Sequence, residues 1–173
     1  EFCLTSTSFA ISSDYPSVNT TLGGCAKFVD ASEGGTVESD VAGTGVVIPA
    51  GALTESESIS VGAVTVELPE EVDNATGFEV EELVAFTPFD LALIDSVTIN
   101  VSSSRSRDGE SLCYLENSND TEWAVVDGAD CSDGNCTADV MNFGIFATCM
   151  VVPDCAGEEG GFAFYDDCGD CVG

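Results

Sequence analysis

Apolar residues recur along this chain in short runs rich in β-branched and aromatic side chains, broken by clusters of Gly, Asp, Asn and Ser. The runs read GTVES, GTGVVIP, ESISVGAVTVEL, ELVAFTPF, DSVTINV, SLCYLEN, TEWAVVDG and NFGIFATCM. Helical periodicity is almost absent, and this regular alternation of short runs with turn residues predicts an all-β fold, an antiparallel β-sandwich. In SVTINV the side chains of Val97, Ile99 and Val101 share one face of a strand, so Asn100 is expected to face solvent. FGIFATCMVV, Phe143 to Val152, reads as a buried strand, being too short for a bilayer span of about 20 residues. Within ESISVGAVTVEL the apolar parity changes between Ala63 and Val64, which a bulge at Gly62 or burial on both faces would explain.

Three regions follow from this pattern. Residues 1–31 form an extended N-terminal arm with apolar positions at Phe2, Leu4, Phe9 and Ile11. Its strand character suits addition to a neighbour's sheet edge. Residues 32–152 form the sandwich, and residues 153–173 a Cys-, Gly- and Asp-rich tail with little capacity for a core. The opening EFCL carries neither an initiating Met nor a secretory leader, as expected of a mature product or a fragment of something longer.

Charge narrows the partners. Against 32 acidic residues stand only Lys27, Arg105 and Arg107, for a net charge of −29. Nucleic acid and anionic lipid need a basic patch, so neither nucleic-acid binding nor membrane insertion is expected. Arg105 and Arg107, in the polar loop SRSRDGES, read as local charge partners. Nine cysteines stand at Cys3, Cys25, Cys113, Cys131, Cys136, Cys149, Cys155, Cys168 and Cys171. Zinc is the rival reading, but the chain has no histidine and a single CxxC, so disulfides in an extracellular or cell-surface setting are preferred. The odd total predicts one thiol left over or bonded to another chain. Asn19, Asn74, Asn100, Asn119 and Asn135 each begin an N-x-S/T glycosylation signal.

The stretch GGTVESDVAGTGVVIPAGALTESESISV resembles the opening of a ZU-five domain, the β-sandwich of netrin receptors, the zonula occludens scaffold and ankyrins. The "V-x-I-P-x-G-A-L" turn of that family is matched by Val46, Ile48, Pro49, Gly51, Ala52 and Leu53. Pro49 lacks a ladder donor and should end the strand, and Gly51 should permit the turn. LVAFTPFDLALIDSVTINV, CYLENSNDTEWAVVDGAD and MNFGIFATC extend the likeness in the family's order, over about Gly34 to Cys149. The segment from Cys113 through Trp123, Cys131 and Cys136 to MNFGIF also resembles the cleavage region of adhesion-receptor GAIN domains. Self-cleavage there needs a histidine and a Ser or Thr nucleophile; aligned on Asn142-Phe143, this chain has Asp139, Val140 and Met141, which implies a sandwich unable to cleave itself. The tail DCAGEEGGFAFYDDCGDCVG is similar to short repeats of many secreted proteins, with Glu159 where an extra cysteine often stands.

Asp154, Asp166, Asp167 and Asp170 supply the hard oxygen ligands that calcium uses, the one cofactor the sequence suggests. Without the full D-x-D-x-D-G spacing, a solvated acidic turn is the favoured reading. DGADCSDGN, Asp127 to Asn135, is explained by Asp-Gly turn chemistry. Carboxylates are too abundant for any pair to mark a glycosidase, serine-hydrolase chemistry lacks its histidine, and GTGVV enters a strand rather than a helix. Trp123 reads as a core anchor. The expectation is a non-enzymatic extracellular structural glycoprotein, self-associating into a filament, sheath or appendage, with contacts to other extracellular proteins or glycans also open. A calcium-binding module of a receptor or adhesin is the alternative.

Overall fold

The computed structural model describes residues 2–9, 20–65, 78–89, 91–103, 108–115, 123–153, 155–157, 163–165 and 168–172, and backbone alone at 2–9, 20–25, 64–65 and 164–165. Its strands are Phe2–Phe9 (β1), Thr20–Val29 (β2), Gly35–Glu38 (β3), Gly45–Ile48 (β4), Glu57–Thr65 (β5), Phe78–Thr87 (β6) and Val97–Ser102 (β7). They continue with Glu110–Leu115 (β8), Ala124–Val125 (β9), Asp130–Ser132 (β10), Asn135–Val140 (β11), Ile145–Val151 (β12), Phe164–Tyr165 (β13) and Cys171–Val172 (β14). No helix occurs among the described residues, so none there is long and apolar enough to cross a membrane.

A seven-stranded antiparallel sheet in the order β1-β2-β5-β6-β12-β8-β9 faces a five-stranded sheet in the order β10-β11-β7-β4-β3. The all-β sandwich is thus the observed architecture. Its core lies between the sheets: Val46 and Ile48 of β4, Val97, Ile99 and Val101 of β7, and Ala138 and Val140 of β11 meet Ile59, Val61, Val84, Phe86, Leu112 and Phe146. Phe86 is fully buried and sits at its centre, edge-on to Phe146 with ring centroids 5.5 Å apart and tilted against Phe143 at 6.2 Å. Such ring contacts add to the area these side chains remove from water.

The sandwich extends N-terminally beyond Ser32. β2 pairs with β5 from Thr21↔Thr65 to Val29↔Glu57, and Val29 belongs to the core. β1 in turn pairs with β2, so within the described residues the arm lies on its own sheet. Lys27 at this edge donates from Nζ to the carbonyl of Thr36 on β3, 2.9 Å away. Between β2 and β3, Asp30 holds a tight turn. The hydroxyl and then the amide of Ser32 donate to its carboxylate at 2.6 and 2.8 Å, keeping that carboxyl below the usual range.

β4 ends at Ile48, immediately before Pro49, and Gly51 takes a φ of 83° that a side chain would resist. The ladder runs through Gly62 without a register shift on either flank, so of the two explanations for the parity change the bulge is absent there. Burial of Val64 lies outside the described side chains. A bulge occurs instead in β6, opposite Phe146 to Thr148, where Glu82 adopts a φ of 47°. The extra residue switches the side-chain parity: Phe78 and Val80 before it, and Leu83 and Ala85 after it, all pack into one second apolar cluster.

That cluster covers the other face of the seven-stranded sheet. It contains Ala85, Cys113, Leu115, Trp123, Ile145, Ala147 and Cys149. β12 is therefore buried on both faces, with residues 143–149 all buried, which accounts for the unbroken apolar run in NFGIFATC. Trp123 is buried at 4% exposure, whereas Val125, two positions on, is 38% exposed.

Candidate functional site

Two surfaces carry what chemistry the described residues offer outside the core: the outward face of the five-stranded sheet and the free edge of β1. The first arises from strict alternation. In β7 Val97, Ile99 and Val101 point inward, leaving Thr98, Asn100 and Ser102 half-buried on the outside; in β11 Cys136, Ala138 and Val140 point inward, leaving Asn135, Thr137 and Asp139. Antiparallel register then sets Thr98 opposite Asp139, Asn100 opposite Thr137 and Ser102 opposite Asn135. Each rung faces a complementary polar partner.

The rungs are hydrogen-bonded. Thr98 Oγ1 donates to Asp139 Oδ1 at 2.6 Å, and Thr137 Oγ1 donates to Asn100 Oδ1 at 2.9 Å. Buried Thr44 donates from Oγ1 to Ser102 Oγ at 3.2 Å and accepts from the Ser102 amide at 3.1 Å, tying the β3–β4 loop to the end of β7. The side-chain amide of Asn135 lies against the carbonyls of Gly43 and Val101 at 3.1 and 3.0 Å, and assigning its orientation from this hydrogen-bond network makes Nδ2 the donor to both. The reversed amide would set its oxygen against those two acceptors and leave only contacts of 3.5 Å to Asn100 and 3.4 Å to Thr137. The two sequons Asn100-Val-Ser102 and Asn135-Cys-Thr137 thus lie side by side, each asparagine opposite the other's hydroxyl residue. The alternation in TINVS and NCTAD was a sufficient signal for each strand, but nothing in the sequence told that the two strands are neighbours. Asn19, Asn74 and Asn119 lie outside the described residues.

Disulfides join Cys113 to Cys149, Cys131 to Cys136, and Cys155 to Cys171. The first crosses β8 and β12 inside the second apolar cluster. The second closes the β10–β11 hairpin, whose cysteines face each other with Cα atoms 4.0 Å apart around an Asp133-Gly134 turn of positive φ. The third holds the tail, where β13 and β14 pair. Cys168 is exposed. The β1–β2 ladder sets Cys3 directly opposite Cys25, whose side chains lie outside the described set. Three disulfides among the described residues fit an oxidising, extracellular-type compartment.

Of the calcium candidates, Asp154, Asp166 and Asp167 lie outside the described residues, and Asp170 is exposed. Among the described residues no three Asp, Glu, Cys or His side chains gather as a metal would need. Arg105 and Arg107 also lie outside them. Asp139, Val140 and Met141, aligned above with the cleavage residues of the GAIN family, end β11 and enter a bend; Val140 is buried and Asp139 and Met141 are exposed. A cleft of about 240 Å³ opens beside this bend, with Tyr114, Val126, Phe143 and Phe146 in its wall.

β1 supplies the other surface. It terminates the seven-stranded sheet, so one of its edges pairs with β2 while no described strand takes the other. Its sequence, FCLTSTSF, contains no charge and no proline, two of the features that commonly protect an edge, although its ladder to β2 shifts register between Leu4 and Thr7. Compared with protein-family models and with curated proteins, the chain matches none.

Proposed function

We propose that this chain is a non-enzymatic extracellular structural glycoprotein, a subunit or repeat of a cell-surface filament, sheath or appendage. Subunits join through strand addition at the free edge of β1, with disulfides between chains as a further link. The observation that carries this reading is that edge: eight residues long, uncharged, proline-free and terminal in its sheet. A long edge with unused backbone donors and acceptors is a template for another strand, and natural monomers usually blunt it. The disulfides and the two adjacent sequons support a secreted setting, and the resemblance to ZU-five sandwiches supports a domain that acts as a brick rather than as a catalyst.

Charge sets the conditions. Copies at −29 repel one another in dilute salt, and the repulsion shrinks as the screening length falls from about 30 Å at 0.01 M to about 8 Å at 0.15 M salt. Electron microscopy of the unreduced protein in physiological salt, with and without a calcium chelator, tests the proposal. Ordered filaments are expected. Uniform single particles under both conditions would overturn it and favour the receptor or adhesin module.

A further inference from the structure

The paired sequons on the five-stranded sheet present their two asparagines in opposite ways. Asn100 is flanked on one side by Thr137 and on the other by Gly45, which contributes no side chain. Gly45 is fixed as glycine by the close approach of β3, because a Cβ there would lie 2.6 Å from the Val37 carbonyl oxygen. Among the described residues the side chain of Asn100 meets only other side chains, Thr137 at 2.9 Å and Asn135 at 3.5 Å, and it bonds to no backbone group on this half-buried outward face. Asn135 is the reverse: both hydrogens of its Nδ2 are committed to backbone carbonyls, one in the β3–β4 loop and one in β7. Its amide cross-links two chain segments.

We propose that Asn100 carries an N-linked glycan and that Asn135, an equally good match by sequence, does not and serves as a structural cross-link. The inference rests on the secreted-glycoprotein reading above and assigns its modification. Attachment forms a bond from Nδ2 to the anomeric carbon of a lipid-diphosphate-linked oligosaccharide. The bond from that carbon to the diphosphate oxygen breaks, the lipid diphosphate leaves, and Nδ2 gives up one of its two protons. The nitrogen that results has a single N–H. At Asn100 no bond to the backbone is lost. At Asn135 one of the bonds to Gly43 and Val101 must go and the sugar must take its place against a backbone carbonyl, leaving a polar group without its partner. The neighbouring Cys136 is buried and bonded to Cys131, which ties this strand to β10.

The test is site-by-site occupancy of the full chain secreted from a eukaryotic host, read by peptide mapping after enzymatic release of glycans in heavy-oxygen water, which marks each occupied asparagine. Asn100 is expected to be occupied and Asn135 bare; Asn100→Gln should lose the mass of one glycan and Asn135→Gln none. If the latter fails to fold, occupancy in the unaltered chain still decides. Sugar on Asn135 of the folded, secreted protein would overturn the proposal, as would a bare Asn100 in a chain glycosylated at Asn19, Asn74 or Asn119. A chain bare at all five sequons would remove the glycoprotein reading itself and this assignment with it.

Discussion

The outward faces of the two sheets are built in opposite ways. On the five-stranded sheet, β7 and β11 alternate buried apolar with outward polar residues, and the outward side chains bond to one another across the strands. On the seven-stranded sheet, β12, β8 and β6 carry apolar residues on both faces, and the outer set forms a cluster around Trp123 and the Cys113–Cys149 bond. The difference teaches what each face holds. Apolar burial stabilises in proportion to area and is large per residue. Exposed polar rungs exchange water for a neighbour at small net gain, so they contribute more to defining the surface than to stability.

This comparison can be broken by substitution. Trp123→Ala removes the largest side chain of the outer cluster and should lower unfolding stability by about 3–5 kcal/mol, measured by denaturant titration. A loss below roughly 1 kcal/mol would mean that the cluster is an incidental cover. Removing Cys113–Cys149, which spans 36 positions, should cost roughly 4 kcal/mol, and removing Cys131–Cys136, which spans 5, roughly 2 kcal/mol, in a chain-entropy account. Thermal melts of the two double-alanine variants would show whether the order holds. At the small end, Thr98→Val deletes one rung to Asp139 while keeping a β-branched shape, and should change stability by about 1 kcal/mol or less. A larger loss would show that the polar face is a cooperative network.

The same contrast explains what the sequence revealed. Where one face is wet, as in TINVS, the period of two gave both the strand and the outward position of Asn100, whereas NCTAD, equally regular, was overlooked behind the Asp-Gly turn signals of DGADCSDGN, part of which is strand β10. Where both faces are dry, as in IFATC, the run marks a strand but hides its parity, so the existence of a second cluster could not be read. The bulge is a sharper case. The parity change near Gly62 admitted either a bulge or two-sided burial, and that ladder is continuous; the bulge lies at Glu82, where Phe78, Val80, Leu83 and Ala85 share the outer face only because a residue is inserted, while Val84 and Phe86 face the core. Local parity cannot distinguish a bulge from two-sided burial without knowing the partner strand. Cysteine positions likewise gave the oxidising setting but not the pairing, since Cys113 and Cys149 meet only because β8 and β12 are neighbours. The turn at Pro49 and Gly51, set by local backbone restrictions, was legible outright.

The central claim is that β1's outer edge joins one copy to the next. In the regular part of its ladder, Thr7 pairs with Leu22 and Ser8 with Thr21, so these successive residues direct their amides to opposite edges. Proline at one of them removes a donor on the free edge, and at the other a donor toward β2. Sedimentation velocity in physiological salt should show polymer for the unaltered chain and a folded monomer for one of the variants Thr7→Pro or Ser8→Pro. Undiminished polymer in both, or a monomeric unaltered chain at every salt concentration, would contradict the account.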